Sequence, residues 1–141
     1  MNKSLAQTIL GLVGFFELLI GILTLLLAAG AVLGFGGVIA GTIAEAQIGV
    51  SGVSLLTAAI VLIVEAVILL VSGSALRRVS KNSRKYKSAW NITLVFLILA
   101  VIRAGNSFMS GGMEALRATG GTVIWHLLIL MLVSSVKKQN A

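Results

Sequence analysis

Four ionisable residues, Glu17, Glu65, Arg103 and His126, each interrupt a long apolar stretch of this 141-residue chain. Apolar runs of that length read as membrane spans. An ionisable group inside a span is costly to keep there, so it is by default a candidate for function. Two carboxylates and an imidazole at matched depth have the chemistry to relay protons or to coordinate a hard cation. The same residues also suit a structural role, in which Glu17 and Glu65 pair with Arg103 and His126 as buried glue.

Their depths follow from the rise of a helix. Glu65 precedes Arg77 by twelve residues, about 18 Å at 1.5 Å per residue. Glu17 lies twelve residues beyond Leu5, at about the same depth. His126 is eleven residues from Lys137, roughly 16 Å. Arg103 is sixteen from Lys87, about 24 Å, and so nearer the opposite surface.

Other chemistry is sparse. The chain has no Cys, no Asp and one His, which removes disulfides, thiolate metal sites, metalloprotease spacing and any triad with an Asp member. Gly34-Phe35-Gly36 lacks the strand and helix context of a phosphate loop. No catalytic residue, metal-ligand set or cofactor is therefore assigned, and the chain is not expected to be an enzyme.

The elements that must position the four residues are helices in a bilayer. Of the residues 58% are hydrophobic and 11% charged, with a mean hydropathy of +1.09. A soluble domain carries about 25% charged residues, so lipid is the better solvent for this chain. The expected fold is all-α, a polytopic membrane protein forming a single domain over residues 1–141. Four transmembrane helices, at about 5–29, 53–76, 89–104 and 121–136, make two antiparallel hairpins. The last two spans are short by apolar count and are expected to run past the membrane core. The start, Met1-Asn2-Lys3-Ser4 before an apolar run, imitates a secretion signal. That run exceeds the ~7–15 residues of a signal core, and a retained span is expected.

Charge sets the orientation. Residues 77–87 hold six basic residues, Arg77, Arg78, Lys81, Arg84, Lys85 and Lys87, out of eleven in the chain. Loops rich in Lys and Arg stay on the cytoplasmic side, so this segment is expected to be a cytoplasmic loop joining the hairpins. Lys3, Lys137 and Lys138 fall on the same side, and only Arg103 and Arg117 on the other. Both termini are then cytoplasmic. Residues 5–44 are apolar enough for two spans, but a fifth span would put the basic loop outside, against this bias. The sequence pI of about 10.7 reflects this topology pattern rather than nucleic-acid binding. The six basic residues, with Tyr86, are also placed to meet anionic lipid headgroups.

Packing faces are visible too. Alternating steps of four and three from Lys3 give Gln7, Leu10, Gly14, Glu17, Gly21, Thr24, Ala28 and Ala31. From Gly14 onward that seam is small or polar, the kind of face along which helix backbones approach closely in lipid. In the second span Ser51, Ala58, Glu65 and Ser72 recur at seven-residue spacing. Between the spans, 30–52 and 105–120 each contain a Gly pair followed by a helix-compatible segment, fitting a re-entrant element or a helix broken at the interface.

Two functions fit. The first is a non-catalytic accessory or assembly subunit whose helix-packing face (Gly14, Gly21, Thr24, Ala28) meets another copy of itself or a membrane-protein partner. The alternative is a small proton- or cation-coupled transporter or channel using Glu17, Glu65 and His126.

Overall fold

The computed structural model describes residues 3–34, 37–48 and 54–140. Four α-helices follow in order: α1 (Leu5–Val32), α2 (Gly37–Ile48), α3 (Leu55–Lys81) and α4 (Tyr86–Gln139). The described residues contain no strand. This is an all-α membrane protein: α1, α3 and the segment containing α4 are each long and apolar enough to cross a bilayer. Leu, Ile, Val and Phe cover their outer faces, with Leu12, Phe16, Leu26, Leu56 and Ile124 among the large apolar residues left exposed, as lipid-facing surfaces require.

Helix α1 starts at a capping box, in which the Ser4 hydroxyl accepts from the Gln7 amide and the Gln7 side chain accepts from the Ser4 amide. Its small-residue seam packs against α3, antiparallel. Gln7 Nε2 donates to the Val79 carbonyl at 3.3 Å. Gly11 faces Ser80, Gly14 faces Gly73 and Gly21 faces Leu70. The expected seam is buried at Gly14, Glu17, Gly21, Ala28 and Ala31. Thr24 departs from it: the residue is only half-buried, and its hydroxyl turns back onto the Ile20 carbonyl at 2.7 Å. On α3, Ala58, Glu65 and Ser72 are all buried, while Ser51 lies outside the described residues.

Three sequence-based boundaries change. Residues 77–87 are almost entirely helical rather than a loop: α3 runs to Lys81, a single 3-10 turn covers Ser83–Lys85, and α4 starts at Tyr86. Lys and Arg are good helix formers, and cations at a helix C-terminus are favourable. Only Asn82, with extended backbone, breaks the chain there. The third and fourth spans lie in one helical element interrupted at Gly112, whose φ of 68° and ψ of −150° are not helical. The connection at 105–120 is thus helix apart from that residue. The short segment after residue 36 is the helix α2, whose Ala40 and Ala44 pack on Ala28, Ala31, Ala58 and Leu62.

Gly112 folds α4 back on itself. Lys137 Nζ lies 5.1 Å from the Trp90 ring, Phe96 meets the His126 ring edge-on at 6.2 Å, and Asn140 Nδ2 donates to the Ser83 carbonyl at 3.4 Å. All three pairs are centred near Gly112, so its leading leg, before that residue, and its returning leg, after it, run antiparallel. One apolar cluster, Leu10, Ala75, Leu76, Val79, Ala89, Ile129, Val133 and Val136, closes the basic end of the bundle.

Candidate functional site

Between that cluster and the alanine cluster under α2 lies a polar layer. It holds all four ionisable residues singled out from sequence, divided into two groups rather than one.

The first group is Glu65 with Arg103. Arg103 Nη1 on the leading leg donates to Glu65 Oε1 on α3, forming an ion pair. The positions follow from register: Glu65 continues the buried α3 stripe Ala58, Leu62, Glu65, and Arg103 adjoins buried Ala100 and Ala104 on α4. The pair lines a cavity of about 230 Å³ with Val64, Phe96, Thr122 and His126. A second cavity of about 260 Å³, lined by Ile48, Asn106, Ser107 and Ser110, shares Leu99 and Arg103 with the first. Ser107 Oγ also donates to the Ile48 carbonyl at 3.3 Å, which ties α2 to this opening. The two cavities adjoin at Leu99 and Arg103, the second lying on the side of α2 and Gly112.

The second group surrounds Glu17, which is 1% exposed. Trp125 Nε1 donates to Glu17 Oε1 at 2.9 Å. The Ser72 hydroxyl of α3 and the His126 imidazole lie beside the same carboxyl. Glu17 Oε2 and Ser72 Oγ are nevertheless both buried without a hydrogen-bond partner, so this carboxyl keeps one oxygen uncommitted. Buried polar atoms of that kind are few in folded proteins and call for an explanation.

His126 stands between the groups. Its Nδ1 lies 2.8 Å from the Thr122 carbonyl. A carbonyl only accepts, so Nδ1 carries the hydrogen in this contact and Nε2 of the neutral ring remains an acceptor. The structure thus sets Glu65 against Arg103, and Glu17 against Trp125 beside His126. Among the described residues no set of three or more His, Asp or Glu side chains converges closely enough to share a metal ion.

Sequence reasoning missed Trp125, the donor that fixes Glu17. The signal available was an indole N–H inside an apolar run, a group that seeks a partner when buried. Trp90 is half-buried against the basic-end cluster, beneath Lys137. Comparison with protein-family models, curated proteins and solved structures returned no match.

Proposed function

We propose that this chain is a small proton-coupled membrane transporter or channel, crossing the bilayer four times with both termini cytoplasmic, in which Glu65 receives the proton. The observation that carries this reading is the shared cavity: Glu65, Arg103 and His126 come from α3 and both legs of α4, yet line one space, next to a second cavity that reaches Ile48 of α2. A bundle that only had to pack would gain by closing that space with apolar side chains.

The working sequence follows from the partners. A proton arriving through the Asn106–Ser110 cavity neutralises Glu65 and releases Arg103 from its ion pair. His126, with Nε2 free to accept, is the next titratable group inward. The uncommitted oxygen of Glu17 and the Ser72 hydroxyl lie beyond it. Past them the apolar cluster from Leu10 to Val136 blocks the way to the basic end. Passage through this layer requires those helices to separate, as in alternating access.

The accessory-subunit reading drew its specific support from the α1 seam. That seam is covered by α3 of the same chain, so it supplies no argument for a partner.

The test is reconstitution of the full chain into liposomes containing a pH-sensitive dye, with an imposed pH gradient. Proton flux above that of empty liposomes is expected, and Glu65→Gln should abolish it. Flux equal to empty liposomes, or unchanged by Glu65→Gln, would overturn the proposal.

A further inference from the structure

At the end of the bundle opposite the Gly112 turn lies a cavity of about 510 Å³ that the transport reading does not use. Its lining includes Lys3, Gln7, Lys81, Ser83, Arg84 and Asn140. The lining comes from the start of α1, the end of α3, the turn before α4 and the end of α4, elements far apart in sequence that the fold gathers at one place.

Three cations face this space, and no Asp or Glu side chain lines it. The four acidic residues of the chain are Glu17, Glu45, Glu65 and Glu114. Glu17 and Glu65 lie in the polar layer, and Glu45 and Glu114 belong to α2 and to the segment just past Gly112. Among the described residues no Asp or Glu side chain at the basic end therefore balances Lys3, Lys81 and Arg84, or Arg78, Lys85, Lys87 and Lys138 around them. The remaining basic residues there are engaged: Arg77 Nη1 donates to the Gly11 carbonyl at 3.5 Å, and Lys137 covers the Trp90 ring. Like charges held together by a fold repel, and an anion between them removes that cost.

The other lining groups suit an oxyanion. Ser and Asn side chains donate to phosphate oxygens, and a guanidinium offers its fork in the geometry of a phosphate. Contacts of Ser83 with Asn140 and of Gln7 with Val79 help to shape the cavity. It also sits at the ends of the apolar helices, at the level of lipid headgroups.

We infer that this cavity binds a phosphate-bearing anion, held by Lys81 and Arg84 with Lys3. A phospholipid headgroup and a free phosphate in the aqueous phase share that chemistry, and the experiment separates them. The full chain, purified in an uncharged maltoside detergent, is titrated with inorganic phosphate and, separately, with short-chain phosphatidylglycerol, while its melting temperature is followed. Short-chain phosphatidylcholine controls for the acyl chains. A rise with inorganic phosphate assigns the free anion as sufficient. A rise with phosphatidylglycerol alone, absent with phosphatidylcholine, assigns the anionic headgroup.

In either case the double variant Lys81→Gln/Arg84→Gln should weaken half-saturation by about tenfold or more, since it removes the direct charge-assisted contacts. The variant Lys85→Gln/Lys87→Gln removes equal charge from the same segment outside the cavity. It should change half-saturation by about twofold or less, as expected for a screened, distant charge. Equal losses in the two variants would reduce the site to a diffuse basic surface, and no response to either probe would overturn the inference.

Discussion

A Cβ atom on Gly14 would fall 2.8 Å from the Gly73 carbonyl, and a Cβ on Gly73 would fall 2.8 Å from the Gly14 carbonyl. This reciprocal approach brings α1 and α3 together at backbone distance, next to the level at which Glu17 and Ser72 face one another. The obstructing atoms are backbone, which cannot rotate aside as a side chain could. We expect Gly14→Ala and Gly73→Ala each to lower the melting temperature in detergent, at a cost of about 1–3 kcal/mol for an overpacked contact. Gly21→Leu should do the same, because its Cβ already meets Leu70 at 3.1 Å. Gly105→Ala, where a Cβ meets nothing, should be neutral or stabilising by up to about 1 kcal/mol from helix propensity. Equal losses at Gly73 and Gly105 would show that the contact does not hold the hairpin.

The fold also turns on Gly112. Its φ of 68° with ψ of −150° lies in a region that is essentially restricted to glycine. Gly112→Ala should therefore cost about 1–3 kcal/mol. It should also loosen the pairs that the fold-back creates, Phe96 with His126 and Trp90 with Lys137. Fluorescence of the two Trp residues reports on that loosening. A melting curve and emission spectrum matching the parent chain would mean the turn does not need this backbone.

Much of this was legible in sequence, for reasons that differ by element. The α1 seam could be read because a helix returns to one face every three or four residues, and Gly14, Glu17, Gly21 and Ala28 stand out against Leu and Ile. Its partner could not, since periodicity says which face is buried but not against what. Gly73 carries no mark distinguishing it from other glycines. The segment Arg77–Lys81 reads as a loop in sequence because the charges that set topology also suggest a helix end, whereas Lys and Arg continue helices well. That Glu65 would choose Arg103 and Glu17 would choose Trp125 depends on the fold-back at Gly112. A Gly-Gly pair announces a turn without giving its direction.

Topology can be tested cleanly, because the chain has no Cys of its own. Ser83 hydrogen-bonds Asn140 at one end of the bundle, while Ser110 lies beside Gly112 at the other. We expect Ser83→Cys to react only from the cytoplasmic side, and Gln47→Cys and Ser110→Cys from outside. Labelling of Ser83→Cys in intact cells by an impermeant thiol reagent would reverse the proposed orientation.

Among the described residues, Trp125 is the donor within hydrogen-bond distance of the Glu17 carboxyl. Trp125→Phe keeps most of the ring but removes the N–H, leaving both oxygens of a buried carboxyl without a partner. A loss of about 1–3 kcal/mol is expected for an unsatisfied buried group. Glu17→Gln keeps an acceptor for the indole and brings an amide donor to the Ser72 hydroxyl, so its stability should be held or raised. Thermal unfolding of both variants checks this. Harmless Trp125→Phe together with damaging Glu17→Gln would contradict the geometry.

The ion pair of Glu65 with Arg103 allows its structural and functional roles to be measured separately. Glu65→Gln leaves a part-buried guanidinium in the polar layer without its counter-charge. Removing one partner of a fully buried pair costs ~3–5 kcal/mol. Here the cavity leaves the Arg103 side chain 24% exposed and that of Glu65 11% exposed, so a smaller loss of about 1–3 kcal/mol is expected after partial solvation. Arg103→Gln should cost a similar amount, for the mirror-image reason. The double variant Glu65→Gln/Arg103→Gln leaves two neutral amides able to bond one another, and most of the lost stability should return. If the pair were only glue, that double variant would be equivalent to the parent chain in every assay. On the transport reading it regains its melting temperature but carries no proton flux in liposomes, because no group at that position can take up a proton. Recovery of both stability and flux in the double variant would remove Glu65 from the proton path.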